Sequence, residues 1–202
     1  MKPKKVSEKY IADFWKRHSN GKINSRQLVL NRVRRYYAIS PTILGTVRRF
    51  PNALDLREYI GHATSSVKKI NALKPKNFEL MPAQVLDIDY KKNYALERVY
   101  QRPSVEQVLG EKRIKIFVDL KKEENFEKQS MPFLNSFKAR MQEKGIKFEE
   151  VKKSVKKAFI EFERKAEKLG LNIDSHNSNI LVIDYNPGTK KVVFAVIDWL
   201  GH

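Results

Sequence analysis

The sequence predicts an α+β fold. Three observations carry that expectation: long stretches of helical period, two pairs of short apolar runs joined by polar turns, and a composition suited to a packed core. With 202 residues the chain is long enough for one sizeable core or for two small lobes sharing a cleft. Hydrophobic residues make up 41% and charged residues 32%, the balance of a globular protein. Lys and Arg total 41 against 23 Asp and Glu, and the formal net charge of +18 creates a field that draws in polyanions such as ATP, nucleic acid or an anionic membrane. The absence of cysteine excludes a disulfide framework and a Cys-based zinc site. No run of about 18 apolar residues is present to span a bilayer, and the segment from Met1 to Lys9 lacks the apolar stretch of a secretory signal. The expected location is cytoplasmic.

Taken in order, Ser7 to Arg17 reads as a helix with Ile11, Phe14 and Trp15 on one side, ended by Asn20-Gly21. Asn24 to Tyr37 reads as a second, strongly basic helix, although Leu28-Val29-Leu30 would also serve as strand. Pro41 to Phe50 is β-branched enough to be a strand or part of a hairpin. Leu56, Tyr59, Ile60, Ala63, Val67 and Ile70 then fall on one helical face, and Pro75 stops that helix. Val85 to Asp89 and Tyr94 to Val99 form two antiparallel strands joined through Lys91-Lys92-Asn93. Ser104 with Gln107 is a capping box for a brief helix ended by Gly110. Ile114, Ile116, Val118 and Leu120 alternate as in a strand, with Phe117 interrupting the pattern. Pro132 to Lys144 is a helix with Phe133, Phe137 and Met141 inward. Phe148, Val151, Val155, Phe159, Phe162, Ala166 and Leu169 hold helical spacing over about six turns, with Lys152, Lys153, Lys156 and Lys157 toward solvent and Gly170 as the stop. Ile180 to Asp184 and Val192 to Asp198 are strands joined by a turn set by Pro187 and Gly188.

The segment richest in chemistry is the polar loop after the long helix, in which Asp174, His176 and Asn179 precede a strand pair that leads to Ile197-Asp198-Trp199. A long helix, a loop with Asp and Asn five apart, a hairpin and a following Asp resemble the catalytic core of the protein-kinase-like superfamily. Asp-x-His-x-x-Asn-Ile-Leu and Ile-Asp-Trp make the likeness greatest to the aminoglycoside-phosphotransferase branch. The resemblance implies a bilobal fold with a reduced C-terminal lobe and extra N-terminal helices. Residues 1–40 would be a helical extension, 41–100 a small N-lobe-like region, and 101–202 a reduced helical C-lobe with the catalytic loop and a hairpin, all one compact unit.

The activity implied is ATP- and Mg²⁺-dependent transfer of phosphate to a hydroxyl acceptor. Such transfer needs divalent metal on the phosphates and a carboxylate to orient the attacking hydroxyl. Asn179 and Asp198 supply oxygen ligands suited to Mg²⁺, and Asp174 is left as base or positioner. His176 joins it as a catalytic-loop residue, orienting the loop. Leu96, Glu97 and Val99 look like the hinge strand whose backbone contacts adenine, with ATP as cofactor.

No G-x-G-x-x-G loop or V-A-I-K strand precedes the helix at Leu56; Arg48 or Arg49 would replace the phosphate-binding lysine, with Glu58 as its helix partner. Beyond Asp198 the sequence holds only Trp199 to His202, so a protein partner or a homodimer contact is expected to cover Trp199 and help seat the acceptor. A different reading makes the fold a pseudokinase scaffold or a basic module in which Arg32, Arg34, Arg35, Arg48 and Arg49 bind nucleic acid or another polyanion.

Overall fold

A computed structural model describes residues 4–18, 36–40, 43–100, 102–110, 133–171, 179–197 and 199. In chain order the elements are β1 (Lys4–Lys5), α1 (Glu8–His18), β2 (Tyr36–Ser40), β3 (Ile43–Arg49), α2 (Ala53–Ala72), β4 (Phe78–Leu80), β5 (Val85–Asp89), β6 (Tyr94–Arg98) and α3 (Val105–Leu109). They continue with α4 (133–143), α5 (Phe148–Lys168), β7 (Ile180–Asn186) and β8 (Lys191–Val196). Among the described residues the fold is therefore α+β, with five helices and two sheets. Contacts divide the chain into two compact units, one of Met1–Leu56, Val85–Gln101 and Lys115–Ser136, the other of Arg57–Gln84, Arg102–Ile114 and Phe137–His202.

The first unit is built on an antiparallel sheet of four full strands, extended at one edge by the two-residue β1, in the order β1-β2-β3-β6-β5. Ile11 and Phe14 lie three apart on α1 and pack with Leu44 of β3 into a buried cluster to which Tyr36, Val99 and Phe133 add partly buried surface. The glycine at 45 follows from close packing. A Cβ there would lie 2.9 Å from Leu96 Cδ1 and 3.2 Å from Ile39 Cδ1, so a larger residue would displace both side chains. Tyr36 and Tyr37, expected to finish the second helix, are instead strand residues paired with Thr46 and Gly45. Aromatic side chains suit a pleated surface and the ladder with β3 decides the outcome. Residues 24–35, the rest of that expected helix, lie outside the described residues, as does the strand expected at 114–120.

The second unit centres on α5. Val151, Val155, Ala158, Phe159, Phe162 and Ala166 are buried along one stripe of it, as the spacing predicted. Phe162 meets Phe78 of β4 edge-on at 5.8 Å and 71°, and Phe194 of β8 at 6.4 Å and 76°. These three rings are fully buried and join the helix to the sheet; edge-to-face pairs add about 0.5–1.5 kcal/mol beyond their area. The sheet has the order β4-β8-β7. β7 and β8 are the expected hairpin, whereas β4, which the sequence reading omitted, runs parallel to β8 with Phe78 opposite Val192 and Leu80 opposite Phe194.

Two local devices fix the helices of this unit. The capping box forms as expected: the Ser104 hydroxyl accepts from Gln107 N–H while the Gln107 amide oxygen accepts from Ser104 N–H, and Gly110 closes α3 with φ 71°. Ser104→Ala is expected to lower stability by about 1 kcal/mol, read as a reduced denaturation midpoint at unchanged slope. An unchanged midpoint would show that the cap contributes nothing. At the other end of the unit, the Glu161 carboxylate of α5 accepts the backbone N–H of Lys76 and Asn77 and the Asn77 side-chain amide, each at 2.9 Å. One turn on, Lys165 Nζ donates to the Leu73 carbonyl at 2.9 Å. Side chains of α5 thus hold the 73–77 loop that leads from α2 into β4.

Candidate active site

The apolar run Ile180-Leu181-Val182 is buried in β7, and Val192, Phe194, Ala195 and Val196 are buried in β8. The hairpin ladder does not stop at its last pair, Ile180 opposite Val196. Ile197 N–H donates to the Asn179 carbonyl at 2.9 Å, so the residue before β7 and the residue after β8 are tied at one end of the hairpin. Asn179 is half-buried there. The next residue in sequence after Ile197 is Asp198. Asp174, His176 and Asp198 themselves lie outside the described residues. Of the expected loop and metal residues, the structure therefore describes Asn179 and its bond to Ile197.

The middle of β7 is pinned from outside the sheet. The register shifts between Val182 and Asp184, a bulge that takes the Ile183 carbonyl out of the regular ladder. Arg102 Nε donates to that carbonyl at 3.1 Å and Arg140 Nη2 at 3.4 Å. Lys144 Nζ binds the Asp184 carboxylate at 3.0 Å and 3.1 Å. Burial lowers the proton affinity of the Arg140 guanidinium, opposed by Asp184 and Glu143. On the other side of the bulge, Tyr185 OH donates to Glu150 Oε1 of α5 at 2.8 Å. Burial holds that phenol above its ordinary value, the hydrogen bond with Ser154 opposes it and Glu150 adds to it. These groups position the strand that follows Asn179. No local pattern marks them in the sequence, because each pairs with a residue more than thirty positions away.

The residues expected at the adenine hinge belong to the first unit. Leu96 is buried in β6, and Glu97 sits between Thr46 of β3 and Val85 of β5. Val99 N–H donates to the Leu44 carbonyl at 2.9 Å. A hydrogen bond donated by Val99 N–H to adenine would first have to break this one. Tyr100 is pushed up to about 12 by burial, with Arg98 opposing, and the Arg98 guanidinium lies 5.4 Å from the centre of its ring. Arg48 Nε pairs with Glu97 Oε2 at 3.2 Å, an ion pair between neighbouring strands that the sequence reading did not foresee. Glu58 is exposed on α2 and Arg49 is exposed at the end of β3.

Trp199 is 2% exposed. Its indole N–H is buried and has no hydrogen-bond partner among the described residues.

Comparison with protein families, with curated proteins and with solved structures found no match. The class that the fold defines is α+β, with one antiparallel and one mixed sheet. Among the described residues no helix is long and apolar enough to cross a membrane.

Proposed function

We propose that this chain is an ATP- and Mg²⁺-dependent phosphotransferase that moves the terminal phosphate of ATP to a hydroxyl acceptor. The observation that carries the reading is the 2.9 Å bond from Ile197 N–H to the Asn179 carbonyl. It ties the residue bearing one proposed metal ligand to the residue next in sequence to the other, Asp198. Amide and carboxylate oxygens form the donor set that a hard divalent cation takes, so these residues fit Mg²⁺. The bound ion would neutralise charge on the ATP phosphates. Asp174 accepts a hydrogen bond from the acceptor hydroxyl and holds it toward the phosphate, His176 orients the loop, and the positive field of the chain favours a nucleotide polyanion.

Thermal and chemical denaturation with nucleotide test this directly. Mg·ATP at 100-fold its dissociation constant is expected to stabilise the protein by about 2.7 kcal/mol, and ATP with EDTA by much less. Absence of any shift at millimolar Mg·ATP would remove the proposal.

A further inference from the structure

The apolar pattern at the start of β7 does not select its register against β8. Where one face of a strand is buried and the other open, a slip of one residue turns every side chain to the wrong face, and the register is fixed. Ile180, Leu181 and Val182 are 0%, 8% and 0% exposed, so a slip there exchanges one buried face for another. Side chains hold the far half of the hairpin, Asp184 through Lys144 and Tyr185 through Glu150. Between the halves lies the bulge: Val182 stands opposite Phe194 and Asp184 opposite Val193, which leaves Ile183 as the extra residue. If the extra residue migrated toward the start of β7, Ile180 would leave its place opposite Val196 and Asn179 would lose its bond to Ile197.

We propose that Arg102 and Arg140 are positioning residues: by fixing the bulge at Ile183 they set the register of β7 and, through it, the place of Asn179. Both guanidiniums donate to the Ile183 carbonyl, at 3.1 Å and 3.4 Å. That is the carbonyl the bulge takes out of the regular ladder, so the two bonds favour the register in which Ile183 is the extra residue. The outer edge of β7 adds a bond from Val182 N–H to the Pro103 carbonyl and a bridge between Leu181 and Ser104. Those contacts are made by backbone alone, and any residue could make them. For stability alone the arginine pair is a poor arrangement. Two like charges share one oxygen, and Arg140 Nε is buried with no partner among the described residues, whereas buried charge is often replaced by apolar side chains without loss of stability. The role given to Asn179 rests on the phosphotransferase reading; the lock on the register does not.

The test compares the full chain with Arg102→Met, Arg140→Met and the double variant. Cross-strand nuclear Overhauser contacts read the register: Ile180 lies opposite Val196 in the wild type, and a second set of contacts one residue out of step is expected in the double variant. Mg·ATP affinity, measured by calorimetry, is expected to fall by about 10- to 100-fold in the double variant, the usual effect of removing groups that orient a metal ligand. Each single variant keeps one donor and should show a smaller fall, a minor out-of-step set and a urea midpoint near the wild-type value. Arg140→Lys in the Arg102→Met background restores a second donor type to the carbonyl and should recover the wild-type register. A purely wild-type register in the double variant would overturn the inference. If that variant does not fold, wild-type register and affinity in both single variants would overturn it, as would midpoints that fall in step with affinity. A wild-type chain with no affinity for Mg·ATP would instead overturn the phosphotransferase reading, and the register contacts, which need no nucleotide, would still decide whether the arginines lock the hairpin.

Discussion

Asp174→Asn is expected to leave Mg·ATP binding near the wild-type level and to lower phosphate transfer by about 10²- to 10⁴-fold, the usual contribution of a positioned acid or base. The amide keeps the size of the carboxylate and loses its charge, so it accepts a hydrogen bond from the acceptor hydroxyl weakly and cannot take its proton. Asp198→Asn should behave differently, weakening Mg·ATP binding itself, because the proposed metal ligand loses its charge. The pair separates the two roles. Nucleotide affinity is read by calorimetry and turnover by release of labelled phosphate or product. If both variants turn over at the wild-type rate, the assignment of the loop is wrong even should the chain bind ATP by other groups.

Glu161→Ala is expected to destabilise the protein by about 3 kcal/mol, since hydrogen bonds to a charged group are each worth about 1.5–3 kcal/mol and the amides of Lys76 and Asn77 lose their acceptor together. The pH dependence follows from the same contacts. Burial alone would push the carboxyl up, but the Lys76 and Asn77 amides, the Asn77 side chain and the Lys165 ammonium together hold it below the ordinary carboxylate value. A depressed folded value means that this contribution is present in full above the unfolded glutamate value of about 4.3 and fades as the pH falls through the folded one. Glu161→Gln should therefore be clearly less stable than wild type near neutral pH and close to it in acid. Urea midpoints at two pH values check this. An equal deficit at both would show that shape, not charge, is what Glu161 supplies.

Much of the fold is legible in the sequence because its signals are local. The stripe from Phe148 to Leu169 needs only a 3.6-residue period, the box of Ser104 and Gln107 spans four residues, and the turn at Pro187-Gly188 sets the last hairpin. What the sequence hides is non-local. Phe78-Glu79-Leu80 has three residues and reads as the tail of a loop until β8 is beside it. Tyr36 and Tyr37 continue an apparent helical spacing, yet the partner strand β3 draws them into a sheet. The order of the candidate site, from helix to loop to hairpin to Asp, is visible in the sequence, and of it the described residues include the helix, the hairpin and the bond that joins Ile197 to Asn179. The supports of that hairpin are not visible, because Arg102 and Arg140 reach the Ile183 carbonyl from distant positions. Arg48 shows the converse: its sequence context suggested a phosphate-binding cation, and its pairing with Glu97 is a cross-strand contact that composition cannot foretell.

The parallel pairing of β4 with β8 bears on the order in which the second unit can assemble. β4 joins a strand that begins more than a hundred residues later, and Phe78 contributes to a ring cluster whose other members come from α5 and β8. While the chain emerges during synthesis, β4 has no partner strand, and it stays without its ladder until the hairpin has been made. Closing so large a loop carries its entropy cost before the contacts that offset it exist, which slows folding. The interval leaves Phe78 and Leu80 open to other apolar chains. Lysines at 74 and 76 stand immediately beside that segment, and as flanking charges they would discourage its association with another strand until β8 arrives.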